Sequence, residues 1–141
     1  MQNLEQIRAL NAIKATENTK FSGKANGEVV KKVPVMIQQN GILATLAFAS
    51  EKKKDEKLKN PGFALVFIAA IMHCQSPSVC VLDKSIVPFK EINEVNDSDI
   101  YKYLCSFSNL LCQKDATFLR AVTAEIMAFL NYLRRYAAKD E

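Results

Sequence analysis

D-A-T-F-L-R-A-V-T-A-E-I-M-A-F-L-N-Y-L-R-R-Y-A-A-K, residues 115–139, decides the fold class. Within it Leu119, Val122, Ile126, Phe129, Leu133 and Tyr136 follow one another at spacings of three, four, three, four and three. Only an α-helix puts that spacing on one face. Neither Gly nor Pro interrupts the run. Asp115 stands where an N-cap belongs, its carboxylate able to accept from a free N–H of the first turn. Such a helix is about 36 Å long at about 1.5 Å per residue. At about 100° per residue, Arg120, Asn131, Arg134 and Arg135 fall opposite the apolar stripe. One side therefore needs a core, and the other offers guanidinium groups to something outside.

Working outward, the rest of the chain supplies that core with more helix. Leu4 to Ala15 has helical spacing through Leu4, Ile7, Leu10 or Asn11, and Lys14. Asn18 to Gly27 is polar, holds two glycines and reads as a loop. Glu28 to Gln39 carries Val29, Val30, Val33, Met36 and Ile37, with Pro34 as an anomaly. A proline inside a helix lacks a donor and clashes with the preceding turn, so the helix kinks there or a fresh one starts. Asn40-Gly41 is a break, and Gly41 is expected in the left-handed region at a helix end. Ile42 opens a third helix reaching about Lys54. Phe63 to Gln75 is apolar almost all round and reads as the buried centre. Ser76 to Asn96 is an irregular connection in which V-C-V-L suggests a short strand and Phe89 to Val95 a short helix. A fifth helix is expected after Asp97 or Ser98 as cap, with Ile100, Tyr103 or Leu104, Phe107 and Leu111 on one face. The expectation is an all-α, single-domain bundle of about six helices over residues 1–141.

The 141 residues suffice for one sizeable core. Four glycines and four prolines favour long helices over a strand-and-turn architecture. The net charge of +4 is a mild excess, compatible with a nucleic-acid partner and equally with a Lys-rich soluble surface. Cys74, Cys80, Cys105 and Cys112 form no C-x-x-C pair, and His73 is the single histidine, so no metal site is expected. Cys74, Cys105 and Cys112 lie among apolar residues, where a free thiol behaves as a small hydrophobe. A reducing, cytoplasmic compartment follows. The N-terminus has no signal-peptide pattern, and the apolar run from Phe63 to Met72 is too short to span a bilayer. No cofactor and no membrane partner are expected.

Catalytic constellations are missing from the sequence: no G-x-S-x-G, no H-E-x-x-H, no phosphate loop and no dinucleotide fingerprint. His73 has no acid or nucleophile near it in sequence and reads as a satisfied, partly buried side chain. Two basic sets remain. One is Lys52, Lys53, Lys54 and Lys57, in a run of five lysines and three acids from Ser50 to Asn60. The other is Arg120, Arg134 and Arg135. Both could neutralise phosphates, the main source of sequence-independent affinity for nucleic acid. The lysine run also fits a solvated helix end.

The stretch V-P-V-M-I-Q-Q-N-G-I-L-A-T-L-A-F-A-S-E-K, from Val33 to Lys52, resembles a motif of the small subunit of the type III-B CRISPR effector, the Cmr complex. Pro34, Ile37, Asn40, Gly41, Ala47, Phe48 and Lys52 fall on that pattern, with Ile42 where the family has Leu. Thr123 to Ala137 resembles its closing helix through Glu125, Leu130, Leu133, Arg135 and Ala137. Tyr132 stands where the family often has Trp, and Arg134 where it has Lys. Arg8, Ala9 and Ala12 resemble its first helix, and Arg8 is thereby the most attractive partner for Glu125. The resemblance covers about 50 residues in three blocks. It implies a non-catalytic helical subunit that stacks head to tail beside the backbone and large subunits, along the guide RNA–target RNA duplex. On this reading Lys52, Lys53, Lys54, Lys57, Arg134 and Arg135 are candidate nucleic-acid contacts, and Arg120 lies at a subunit interface. Arg134 and Arg135 would equally suit a neighbouring protein. The rival readings are a type III-A small subunit, a stand-alone helical nucleic-acid binder, and a small helical enzyme.

Overall fold

A computed structural model describes residues 2–18, 26–82, 85–88 and 96–137. Six helices follow one another: α1 (Leu4–Asn18), α2 (Asn26–Asn40), α3 (Ile42–Ala49), α4 (Pro61–Gln75), α5 (Asp97–Gln113) and α6 (Ala116–Tyr136). Among the described residues the only bridge of β type is an isolated antiparallel pair, Lys52 with Leu58. The all-α bundle expected from the sequence is the architecture observed.

The centre is α4. Pro61 begins it, in a first turn that has no use for the missing N–H. Ten of its fifteen residues are buried, including Phe67, Ile68 and Ile71. Every other helix touches it. A helix apolar on all sides can be stable only when surrounded in this way. Burial also pushes the Cys74 thiol up to about 12, because the thiolate would lose its hydration.

The last helix lies across α1, α2 and α4. Asp115 caps it as the sequence predicts, its carboxylate accepting from Phe118 N at 2.9 Å. Val122, Ile126, Phe129 and Leu133 fill the inner face, joined by Leu130, while Leu119 is only partly buried. The stripe departs from expectation at its end, where Tyr136 is exposed and Ala137 is buried instead. Ala137 is four residues beyond Leu133 and so stays nearer its face than Tyr136, three beyond. The smaller side chain closes the core.

Other boundaries moved for local reasons. Asn96 rather than Asp97 or Ser98 caps α5, its side chain accepting from Asp99 N at 2.9 Å. Helix α2 continues through Pro34 without a fresh start. Helix α3 stops at Ala49, short of Lys54. Beyond it the chain offers only Ser50 and charged residues until Leu58, so no apolar stripe rewards another turn. Gly41 has positive φ as expected, but at φ 88°, ψ 160° it lies in a region open essentially to glycine alone rather than in the left-handed helical well. Its N–H donates to Ile37 O at 2.8 Å, closing α2 as α3 begins.

Val79 to Leu82 is no strand: the N–H groups of Val81 and Leu82 both donate to Cys74 O. Gln75 holds the next segment, its Oε1 accepting from Ile86 N and Val87 N at 2.9 and 3.1 Å. Leu82 and Val87 are thereby buried. The short helix expected over Phe89 to Val95 lies outside the described residues. Cys105 and Cys112 are exposed on α5 rather than acting as buried hydrophobes.

Candidate nucleic-acid and subunit interfaces

Residues 51–59 form a tight loop at the end of α3. Lys52 pairs with Leu58 across it, Lys53 N donates to Lys57 O at 2.8 Å, and Lys59 N donates to Glu51 O at 2.9 Å. Asp55 turns the tip by accepting from Lys57 N at 3.1 Å, and Glu56 adopts φ 70°. Leu58 is buried, and its N–H donates to Asp97 Oδ2 at 3.2 Å, tying the loop to the start of α5. The lysines consequently differ. Lys52 bonds Glu56 at 2.9 Å and sits 3.9 Å over the ring of Tyr101. The Glu56 carboxylate raises its pKa by stabilising the ammonium. Lys53, Lys54 and Lys57 are exposed, and no partner for their ammonium groups exists among the described residues. Three unneutralised cations within five residues make a local positive field that attracts phosphate.

The arginines lie elsewhere. Arg134 and Arg135 occupy the last turn of α6, where cations also suit the helix dipole. Arg120 lies near the other end, about one turn in from the start. All three are exposed and unpaired among the described residues. Nothing bonds them to the lysine loop. Arg134 instead borders an open groove of about 280 Å³ between α2 and α6, lined by Pro34, Val35, Gln38, Met127 and Asn131.

A third polar cluster lies between helices, with His73 and Glu125 buried and Arg8 and Asn11 partly so. Arg8 on α1 donates a fork to Glu125 on α6, Nε to Oε2 at 2.8 Å and Nη2 to Oε1 at 2.7 Å. His73 Nε2 lies 2.8 Å from the same Oε2, and Asn11 Nδ2 lies 2.9 Å from His73 Nδ1. With Nδ1 accepting from Asn11, Nε2 carries the proton and donates to Glu125, so the imidazole is neutral. Burial lowers the His73 pKa, although Glu125 opposes this. Burial would raise the Glu125 pKa, but Arg8 and His73 together hold it below its ordinary value. The His73 ring stacks on Phe129 with centroids 4.5 Å apart and has no exposed side-chain surface. Both its nitrogens are occupied, so this histidine–carboxylate pair holds helices together and offers no reachable base to a substrate.

The Arg8–Glu125 pair is the one expected from the sequence. His73 joining it was not, because its acid lies 52 residues away. The groove was half legible: Met127, Asn131 and Arg134 are spaced i, i+4 and i+7, and Val35 falls off the α2 stripe. That the two lie side by side was not. Among the described residues no three of His, Cys, Asp and Glu converge as metal ligands.

A protein-family model described as CRISPR-associated protein (Cas_Cmr5) matches residues 4–139. No curated protein and no solved structure matches the chain.

Proposed function

The chain belongs to the Cas_Cmr5 family of CRISPR-associated proteins, and from that premise we propose that it lines the path of the guide RNA–target RNA duplex without catalysing its cleavage. Family membership makes it the small subunit of a type III-B complex, working beside other subunits. The proposal concerns how. Copies stack head to tail into an inner filament beside the backbone and large subunits, in the cytoplasm. The loop of residues 51–59 faces the duplex. The observation that carries this is the division among the lysines: Lys53, Lys54 and Lys57 project, without partners among the described residues, from a loop that Leu58 and Asp97 fix to the bundle. Lys52, already held by Glu56 and Tyr101, braces that loop and adds its charge from behind. Arg134 and Arg135 contact a partner, the RNA backbone or a neighbouring subunit, and Arg120 lies at a subunit interface.

The contact is sequence-independent, because ammonium groups read phosphate and not base edges. The test is a complex reconstituted with guide RNA and carrying Lys53→Ala/Lys54→Ala/Lys57→Ala. It should assemble with normal stoichiometry but bind target RNA more weakly. The slope of log affinity against log salt should flatten by about 0.7–0.9 for each phosphate that the variant no longer neutralises. An unchanged slope would overturn the assignment of this loop to RNA. Steeply salt-dependent RNA binding by the isolated protein, without co-purifying subunits, would instead favour a stand-alone binder.

A further inference from the structure

Helix α6 carries one line of side chains outside its inner stripe, of which only Met127 also packs against the edge of the core. Arg120, Met127 and Arg134 are each seven residues apart, so they lie within about 40° of one another around the helix. The two arginines are separated along the axis by about 21 Å, fourteen residues at about 1.5 Å each. Between them the line holds Ala124, Met127 and Asn131, and no acid. Helix α2 lies alongside and presents Pro34, Val35 and Gln38 to the same groove. Val35 is 48% exposed, the most exposed of the large hydrophobic residues described. Val33 and Ile37 on the same helix face the core, whereas Val35 lies off that stripe.

A groove floored by Pro34, Val35 and Met127, with one guanidinium, Arg134, at its rim and a second, Arg120, farther along the same helix, is a poor seat for RNA. A phosphate backbone gains nothing from Val35 and Met127, and no aromatic ring lines the groove on which a base could stack. It suits a protein. Arginine and methionine are enriched in protein interfaces, and the guanidinium fork matches a carboxylate. From the geometry we infer that this groove docks a segment of a different protein subunit, one that places an aliphatic or aromatic side chain on Val35 and Met127, a carboxylate on Arg134 and, beyond the groove along α6, another on Arg120. A second copy is a poorer source of those acids. Its net charge is also +4, and of the acids whose side chains are described all but Glu17 and Asp99 already accept a bond within their own chain. This rests on the chain being a complex subunit, and it settles the alternative that the sequence left open for Arg134: the lysine loop is for phosphate, the Arg120–Arg134 line for protein.

The test uses the whole complex reconstituted with its guide RNA. A photo-crosslinking benzoylphenylalanine at position 35 should label another protein subunit, within a peptide that contains acidic residues. The same probe at position 54 serves as the comparison and reports separately on the lysine loop. Arg120→Glu/Arg134→Glu should leave the isolated protein's melting temperature unchanged and cut incorporation at least tenfold. Reversing the charge of the acids in the labelled peptide should restore it. Crosslinking from position 35 to RNA or to a second copy overturns the inference, as does normal incorporation of the doubly reversed variant. Failure of the lysine-loop test leaves these outcomes unaffected, so the two readings fall separately.

Discussion

Helices α1 and α4 are each fifteen residues long and are held in the bundle by opposite means. Helix α4 is fixed by area. Its ten buried residues are mostly aliphatic or aromatic, with His73 the one that joins the polar cluster. Helix α1 has one fully buried apolar residue, Ala12, while Leu4 and Leu10 stay exposed. Leu10 was one candidate for its inner face, but Asn11 takes that place beside Arg8. Its hold is a set of directed bonds: Arg8 to Glu125, Asn11 to His73, and the Tyr132 hydroxyl donating to Glu5 at 2.9 Å. A reciprocal cap at its start, Gln6 N to Asn3 Oδ1 and Asn3 N to Gln6 Oε1, keeps the first turn formed. The contrast teaches that one core can seat a helix by burial and another by wiring. Burial is tolerant of shape and indifferent to charge, whereas a wired helix depends on geometry and protonation.

The hardest blow to this comparison falls on α4. Phe67→Ala removes a fully buried ring from the centre and should cost about 3–5 kcal/mol in denaturant unfolding. A loss under about 1 kcal/mol would show that α4 is not the centre. Next comes the wiring. Glu125→Ala strands both the Arg8 fork and the His73 N–H, and should cost about 2–4 kcal/mol. Arg8→Ala should cost less, about 1–2 kcal/mol, because Arg8 is partly exposed and leaves its partner one bond to His73. The double variant should cost less than the two combined, since both remove the same bond. Full additivity would mean the fork contributes nothing.

Gly41→Val acts through neither burial nor wiring. An added Cβ meets no atom within 4 Å, so the backbone alone resists, at about 1–2 kcal/mol. An unchanged melting temperature would place that cost at zero.

The smallest effect is the most selective. Below about pH 6.5 an unfolded histidine takes up a proton. Burial makes His73 resist it, so stability should fall as the pH drops through that value. A second decrease should follow as the pH falls through the lowered pKa of Glu125, whose stabilising charge is present above the ordinary carboxylate value. Amide exchange should show α1 losing protection before α4 as acid is added. In His73→Gln the first step should vanish. Simultaneous deprotection of the two helices would break the comparison.

By itself the sequence determined the helices and their punctuation. The stripe of α6, its Asp115 cap, the apolar run of α4 and the positive φ of Gly41 were all legible, because each depends on residues within a few positions of one another. Legibility failed where a neighbour came from elsewhere in the chain. The helix after Ile42 looked longer because lysines are good helix formers, yet nothing apolar beyond Ala49 could be buried. Resemblance brought Arg8 to Glu125, but only the packing of α1, α4 and α6 added His73 and Asn11. Lys52 and Lys53 are adjacent and alike in sequence, and only the approach of Tyr101 and the turn at Glu56 made one a brace and left the other without a partner among the described residues. Likewise Val35 and Met127 became one surface because α2 settled against α6. Periodicity and capping are local, so a linear string records them. Contacts between distant residues are chosen when the chain closes on itself, by whichever faces find a complementary face to bury.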